Sequence, residues 1–174
     1  MTGAGRLRTL QLAVMIAIMP VLQGCGSDDK PTPKAVCGLD SELVATVLGS
    51  NDLSEGKSTD GALSGADETG YYTCKVMTDS YASAKVTAAI QPVPADILGK
   101  MEQMPVRYTY EQGDAALEIR SGAKGDAAVS SLDARWVCGR IAVRVTATSK
   151  ETIREDDAKS LLEHAADEVG CPAA

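Results

Sequence analysis

The chain has few of the residues from which catalytic and metal sites are commonly built. It contains no phenylalanine, one tryptophan and one histidine, His164, among 174 residues. A Ser-His-Asp or Cys-His catalytic arrangement would need that histidine, and acidic neighbours such as Glu163 and Asp167 predict a solvated helix face for it. The five cysteines lack the close Cys-x-x-Cys or Cys–His spacing of a zinc site. The sequence therefore predicts no catalytic residue, no cofactor and no metal.

A hydrophobic run long enough to cross a membrane is also absent from the N-terminal region. The apolar stretch 9–21 is uncharged and follows Arg6 and Arg8. It has about the length of a signal-peptide core, and as a helix it is too short for roughly 30 Å of hydrocarbon. This pattern predicts a secretory leader over residues 1–24.

Cys25 follows this leader directly, in the sequence Leu22-Gln23-Gly24-Cys25. A small residue such as Gly24 allows a signal peptidase to reach the backbone. Leu-x-Gly-Cys at this position resembles the lipobox of bacterial lipoproteins, in which the cysteine receives a diacylglyceryl group and the leader is cut before it. We therefore expect Cys25 to be the lipidated first residue of the mature chain. Two acyl chains anchor a protein stably, because each buried methylene contributes about 0.8 kcal/mol.

The charge balance excludes nucleic acid as a partner. The 17 basic residues include Arg6 and Arg8 of the leader, so the mature chain has 15 basic and 24 acidic residues and a net charge of −9. Nucleic-acid binding depends on lysines and arginines that neutralise phosphates, and attraction to anionic lipid depends on them as well. The lipid anchor is therefore the expected contact with the membrane, and the outer face of the cell membrane is the expected location.

Periodicity in the mature chain predicts an α+β fold, a twisted antiparallel sheet with about three helices mainly on one face. The predicted helices are 40–48 between Asp40 and Gly49, 94–104 between Pro94 and Pro105, and a last helix that begins at a Thr152–Glu155 capping box and ends at Gly170. The predicted strands are 71–77, 84–90, 107–110, 115–121, 127–132, 135–138 and 140–148, with a surface loop over 49–70. The last strand alternates, with Ile141, Val143, Val145 and Ala147 on one face and Ala142, Arg144, Thr146 and Thr148 on the other.

The expected organisation of the whole chain has three parts. They are a signal peptide over 1–24, a lipidated cysteine and flexible tether over 25–36, and one globular domain over 37–174.

Four cysteines remain beside Cys25, and an even number in an exported chain predicts two disulfides with three possible connectivities. Cys37 precedes the first predicted helix and Cys171 follows the last, so two antiparallel helices side by side would bring them together. Cys74 and Cys138 lie on the first strands of two similar hairpins, in the segments Tyr72-Thr73-Cys74 and Trp136-Val137-Cys138. We therefore predict the pairs Cys37–Cys171 and Cys74–Cys138.

These features together resemble small actinobacterial cell-envelope lipoproteins of unknown function. The similarity covers the lipobox, the polar tether, Cys37-Gly38-Leu39 at the first helix, Trp136-Val137-Cys138-Gly139 before an alternating strand, and Gly170-Cys171 after the last helix. The resemblance implies an α+β domain with two disulfides, and it implies no established activity and no functional residues.

Three hypotheses about function remain open. The first is a non-enzymatic binding or interaction module whose partner is an envelope protein or a small molecule. The second is a carrier of a small hydrophobic ligand or lipid, which a deep apolar pocket would favour. The third is a hydrolase that uses carboxylates, or a tyrosine such as Tyr108 or Tyr110, and convergent acids with raised pKa values in a cleft would favour it.

Overall fold

An antiparallel sheet of seven strands is the frame of the domain, in a computed structural model that describes residues 34–56, 63–65, 70–80, 82–90, 95–124 and 127–172. The helices are α1 (Ser41–Leu48), α2 (Ala95–Gln103) and α3 (Glu155–Glu168). The strands are β1 (Ala35–Val36), β2 (Leu39–Asp40), β3 (Leu53–Glu55), β4 (Tyr71–Thr78), β5 (Ser83–Ile90), β6 (Val106–Tyr110), β7 (Gly113–Lys124), β8 (Ala127–Cys138) and β9 (Ile141–Ser149). The strand order in the sheet is β3-β4-β5-β9-β8-β7-β6, and β1 and β2 form a separate hairpin.

The main core lies between one face of this sheet and the helices α1 and α3. Because side chains alternate between the two faces of a strand, every second residue of the central strands points towards this core. Trp136 at its centre is fully buried and its ring stacks on Tyr110, with the ring centroids 4.3 Å apart. The apolar residues buried around it include Val44, Val47, Leu48, Val76, Val86, Leu117, Ala134, Val143, Val145, Leu161 and Leu162.

Helix α2 packs on the opposite face of the sheet. Met101 of α2 and Met104, which follows the end of α2, are buried against Ala116 of β7, with Val137 of β8 beside them. The predicted α+β class, with an antiparallel sheet, helices mainly on one face and two disulfides, is therefore confirmed. None of the three described helices covers the β4, β5 and β9 part of the second face.

The local signals for α1 act as predicted. Asp40 is its N-cap, and its carboxylate accepts hydrogen bonds from the backbone N–H groups of Glu42 and Leu43 at 2.7 and 3.2 Å. Gly49 ends the helix with φ of 67°, a left-handed conformation that glycine adopts without strain.

Three local predictions differ from the structure. The predicted strands 127–132 and 135–138 are one strand, β8, because Asp133 and Ala134 pair with both β7 and β9. Strand β3 lies inside the predicted loop 49–70. The Thr152–Glu155 capping box is wrong because Glu155 is the first helical residue rather than the third, and the N-cap position belongs to Arg154.

His164 does not lie on a freely solvated helix face. It is half-buried, and its Nε2 accepts a hydrogen bond from the backbone N–H of Asp40 at 3.0 Å. The prediction was wrong because α3 packs beside β2 and the N-terminus of α1, which the local sequence does not reveal.

The predicted disulfide pairing is wrong. The bonded pairs are Cys37–Cys74 and Cys138–Cys171, with Cα atoms 5.6 and 6.1 Å apart. Cys37 lies in the turn between β1 and β2, so the first bond ties that hairpin to β4. The second bond ties the end of α3 to the end of β8.

Sheet order explains why Cys74 and Cys138 do not pair. They lie on β4 and β8, and β5 and β9 separate these two strands. Three strand spacings of about 4.8 Å place them roughly 14 Å apart, whereas a disulfide needs Cα atoms within about 7 Å. The similarity of the two hairpins was real, but it did not make their first strands neighbours.

The predicted tether 25–36 includes two residues that form a strand. Ala35 and Val36 pair with Asp40 and Leu39 as a hairpin. The predicted leader 1–24 and Cys25 lie outside the described residues. Within the described ranges, no helix has the length and apolar character needed to cross a membrane.

The disulfide connectivity can be tested by thiol titration of double serine variants. Removing Cys37 and Cys74 together should expose no new thiol, whereas removing Cys74 and Cys138 should release the thiols of Cys37 and Cys171. The Cys37–Cys74 bond joins residues 37 positions apart, and the Cys138–Cys171 bond joins residues 33 positions apart. Loss of either one should therefore lower the free energy of unfolding by about 4 kcal/mol in urea titrations. A non-reduced peptide that joins Cys74 to Cys138 would contradict this connectivity.

Candidate functional site

The sheet face opposite α1 and α3 carries an unusual arrangement of cations. We call it the open face, and it is formed by Tyr71, Thr73 and Lys75 of β4, Lys85, Thr87 and Ala89 of β5, Ala142, Arg144 and Thr146 of β9, and Asp133 and Arg135 of β8. Lys75 is directly opposite Lys85, and Arg135 is directly opposite Arg144. Like charges in this relation destabilise a sheet, so the face is not arranged for stability alone.

Asp133 holds the two arginines together. Its Oδ1 accepts hydrogen bonds from the Nε atoms of Arg135 and Arg144 at 3.2 and 2.9 Å. Its Oδ2 accepts from the two Nη2 atoms at 3.0 and 2.8 Å. One carboxylate therefore fixes two guanidinium groups in a bidentate geometry, and the three side chains together retain one net positive charge.

The surroundings of this network differ for its two arginines. The side chain of Arg135 is 5% exposed, whereas that of Arg144 is 51% exposed. Burial by itself would raise the pKa of Asp133, but the hydrogen bonds and charges of Arg144 and Arg135 outweigh it and hold that pKa below its ordinary value. Asp133 is therefore a carboxylate at neutral pH, and it is unsuited to act as a general acid.

A groove of about 360 Å³ lies over these arginines. We call it the cationic groove, and its lining includes Tyr71, Lys85, Thr87, Ala89, Lys100, Arg135, Ala142 and Arg144. Lys100 reaches it from α2, while the other residues come from β4, β5, β8 and β9. The position of α2 on this face therefore converts a flat sheet surface into a concave one.

Most of the positive charge in the cationic groove is not neutralised by the described residues. Among the described residues, Asp133 is the carboxylate that pairs with Arg135 and Arg144, and Lys85 and Lys100 form no ion pair. The four cations and Asp133 leave a local charge of about +3, in a mature chain whose net charge is −9. The groove thus concentrates positive charge in an acidic protein, which is a feature of sites that attract anions.

A second groove, of about 380 Å³, lies on the other side of α2. Leu98 and Met101 of α2 form one wall, and Arg107, Asp114 and Val137 lie opposite them. Leu98 is 44% exposed. This groove combines apolar side chains with charged ones at its edge.

Tyr108 and Tyr110 attach the edge strand β6 to α3, and Tyr108 also lines the second groove. Their hydroxyl groups donate hydrogen bonds to Glu155 and Glu163 at 2.8 and 2.7 Å. The pKa of Tyr108 is raised to about 12, mainly by burial and secondly by its hydrogen bond to Glu155. Burial and the Glu163 hydrogen bond also raise the pKa of Tyr110. Both phenols are protonated at neutral pH, so neither is suited to act as a general base.

The Cys37–Cys74 bond brings three groups of metal-ligand type together, but its chemistry does not suit an ion. The two sulfur atoms and a carboxylate oxygen of Glu55 lie within 4.8 Å of one another. Because the sulfurs are bonded to each other, neither is a thiolate that could bind a metal. Glu55 instead accepts a hydrogen bond from the backbone N–H of Cys37, which supports the turn between β1 and β2.

The residues of the cationic groove were not predicted as a site from the sequence. The outward direction of Arg144 and Thr146 was predicted from strand alternation and is confirmed. The sequence contains one further local signal, the spacing of Asp133 and Arg135 on the same face of one strand. It does not contain the register that places Arg135 opposite Arg144, nor the position of Lys100 on α2.

Replacing Asp133 tests whether it holds the arginine pair. In D133N, loss of the charge should lower the free energy of unfolding at neutral pH by about 2 to 3 kcal/mol. This loss is smaller than the ~3–5 kcal/mol lost when one partner of a fully buried ion pair is removed, because water reaches Asp133 and Arg144. Since the pKa of Asp133 is lowered by folding, its stabilising effect is present above about pH 4 and disappears as the pH falls through the folded-state pKa. Urea unfolding of D133N and the wild type should therefore converge at acidic pH.

The matched control is Asp157→Asn, because Asp157 lies on α3, away from the open face, and pairs with Arg154, whose side chain is 72% exposed. An exposed pair of this kind contributes less than about 1 kcal/mol. Equal losses of stability in D133N and D157N would contradict the role given to Asp133.

Comparisons with known proteins give one distant structural neighbour. No protein-family model matches the chain, and no curated protein matches it either. The crystal structure of the extracellular domain of PknH from Mycobacterium tuberculosis is similar with a TM-score of 0.39 and 13% identity, over 76% of this chain and 92% of that one. A similarity at this level establishes neither a common fold nor a common function.

Proposed function

We propose that this protein is a lipid-anchored binding module of the cell envelope, without enzymatic activity, which holds a small ligand in the cationic groove. Its two disulfides fit an extracytoplasmic domain, because such bonds form and persist in oxidising compartments. The lipobox-like sequence at Cys25 supports an anchor on the outer face of the membrane.

The observation that carries the binding proposal is the destabilising charge arrangement of the open face. Lys75 is opposite Lys85, Arg135 is opposite Arg144, and the Arg135 side chain is buried with a carboxylate that it shares. Neutral residues at these strand positions would make the sheet more stable. Departures from the most stable choice are expected where a protein binds something, and here they surround a concave surface.

The dimensions of the groove support a small ligand. Its volume of about 360 Å³ lies at the lower end of the range of about 300–1,000 Å³ for small-molecule sites. Its wall also includes Tyr71, Ala89 and Ala142, so polar and apolar groups meet in one place. This combination can orient a ligand that has one charged end and one apolar end.

A second candidate function is a carrier of a hydrophobic ligand, and the groove between α2 and β6–β8 favours it. Leu98 and Met101 supply its apolar wall. Because α2 separates this groove from the cationic groove, substitutions in one can be tested against binding in the other.

Replacing Cys25 by serine tests the anchor. In a bacterium that processes lipoproteins, the wild-type chain should lose residues 1–24, gain the mass of a diacylglyceryl group and partition into the membrane fraction. The C25S variant should keep its leader or lack the lipid mass, because its side chain has no sulfur to receive the lipid. Intact-mass spectrometry of both proteins measures this. A wild-type N-terminus at another residue without added lipid would refute the anchor.

Replacing Ala89 by tryptophan tests ligand binding in the cationic groove without changing its charge. Ala89 is half-buried on β5 beside Tyr71 and Ala142, so an indole at this position should fill the groove. A small-molecule extract of the envelope should raise the melting temperature of the wild type, because a ligand that binds the native state stabilises it. It should not raise that of A89W.

The matched control is Ala128→Trp, at an exposed position of β8 outside the groove. This variant should respond to the extract as the wild type does. If A89W responds like A128W, the ligand does not bind in the cationic groove. Loss of the response in Leu98→Asp alone would favour the hydrophobic carrier.

A further inference from the structure

We infer that the cationic groove recognises a phosphate monoester carried on an apolar or ring-shaped body. This inference depends on the proposed function, because it names the ligand class of the same groove. It is drawn from the charge of the groove, from its free hydrogen-bond donors, and from the apolar wall beside them.

The charge of the groove matches a dianion better than a monoanion. Among the described residues, Asp133 is the counter-charge of Arg135 and Arg144, and Lys85 and Lys100 form no ion pair, so the groove has an excess of about three positive charges. A carboxylate ligand would supply one negative charge. A phosphate monoester supplies between about 1.5 and 2 near neutral pH, together with three strong acceptor oxygens.

The arginine pair is prepared for such a ligand before it binds. Asp133 uses the Nε and Nη2 atoms of both arginines, and no hydrogen bond within the described part of the chain uses their Nη1 atoms. The guanidinium planes are thus held in place while further N–H donors remain for oxygen acceptors. Preorganisation of this kind reduces the entropy that a ligand must lose on binding.

The lysines complete the positive wall from two different elements. Lys85 lies on β5 and Lys100 on α2, and both are exposed. Their long side chains can close over an anion that rests on the arginines, and each supplies three N–H donors. Four cations from β5, β8, β9 and α2 therefore converge on one anion site.

The apolar part of the groove indicates what the phosphate is attached to. Tyr71, which is 45% exposed, lies across from Ala89, and Ala89 pairs with Ala142 on β9. These side chains form a low platform next to the arginines. A ring or short hydrocarbon can lie on this platform, and inorganic phosphate alone would leave it in contact with water.

A broad anionic membrane surface fits the groove less well than a single ester group. The cations line a concavity instead of a protruding patch, and the mature chain has a net charge of −9 that repels an anionic surface at longer range. The phosphate monoester of a lipid headgroup and that of a soluble metabolite share the chemistry that the groove recognises. An experiment must therefore distinguish these two sources.

The experiment uses the full chain in detergent and isothermal titration calorimetry with phenyl phosphate as the probe. We expect saturable binding with one site, at least tenfold tighter than binding of benzoate or of inorganic phosphate. Benzyl alcohol, which lacks the charge, should give no saturable heat. Because the contacts are charge-assisted, raising the salt concentration should weaken binding several-fold.

The decisive variant is Lys85→Gln/Lys100→Gln. Neither lysine forms an ion pair among the described residues, so the double variant should fold, and removal of the Lys75–Lys85 repulsion should leave its melting temperature unchanged or higher. Its affinity for phenyl phosphate should fall by about tenfold to a hundredfold, as expected when two charge-assisted contacts are lost. The matched control is Lys34→Gln/Lys159→Gln, which makes the same change of charge away from the groove and should bind like the wild type.

Vesicles that contain phosphatidic acid identify the source of the phosphate. Binding of phenyl phosphate alone assigns a soluble ester, and binding of the vesicles as well, with the same loss in K85Q/K100Q, assigns a lipid headgroup. Equal affinities of the two double variants for phenyl phosphate would overturn the inference, as would failure of the wild type to bind either probe.

Failure of this inference differs from failure of the proposed function. If the envelope extract stabilises the wild type but not A89W, while phenyl phosphate does not bind, the groove binds a ligand of another class. If A89W and the wild type respond equally to the extract and neither binds phenyl phosphate, both proposals fail.

Discussion

The hydrogen-bonded register of β5, β9 and β8 is the constraint on which the rest of the domain depends. In this register Val86, Val145 and Ala134 lie side by side on the core face, and Thr87, Arg144 and Arg135 lie side by side on the open face. A slip of one residue would exchange the two faces of a strand. It would bury an arginine beneath α3 and expose a core valine, so the same pairing determines both the core and the cationic groove.

Stability and charge are distributed unequally over the two faces of the sheet. One face is covered by α1 and α3, anchored by Trp136 and tied at its ends by two disulfides. The stability from packing on that face offsets the repulsion between opposed cations on the open face, because each opposed pair lowers the free energy of unfolding by about 1 kcal/mol or less. Asp133 offsets most of this cost for the arginines. Within the described part of the chain, no carboxylate pairs with Lys75 or Lys85 to offset their repulsion.

Signals that act over a few residues predicted the elements well. The cap at Asp40, the left-handed Gly49, the hairpin of β4 and β5 and the alternation along β9 correspond to the structure. Predictions that required two distant segments to meet did less well. The cysteine pairing failed because two strands separate Cys74 from Cys138, and His164 was misplaced because its partner, the N–H of Asp40, is 124 residues away.

By itself the sequence determined the α+β class, the approximate positions of the helices and strands, the presence of two disulfides and the outward direction of Arg144, because periodicity, capping and cysteine count act locally or by composition. Only the tertiary structure decided the strand order, the disulfide partners, the place of α2 on the second face and the assembly of the cationic groove. The physical reason is that each of these depends on contacts between segments far apart in the chain. Many registers and strand orders satisfy the same local pattern, and the packing of the whole domain selects one of them.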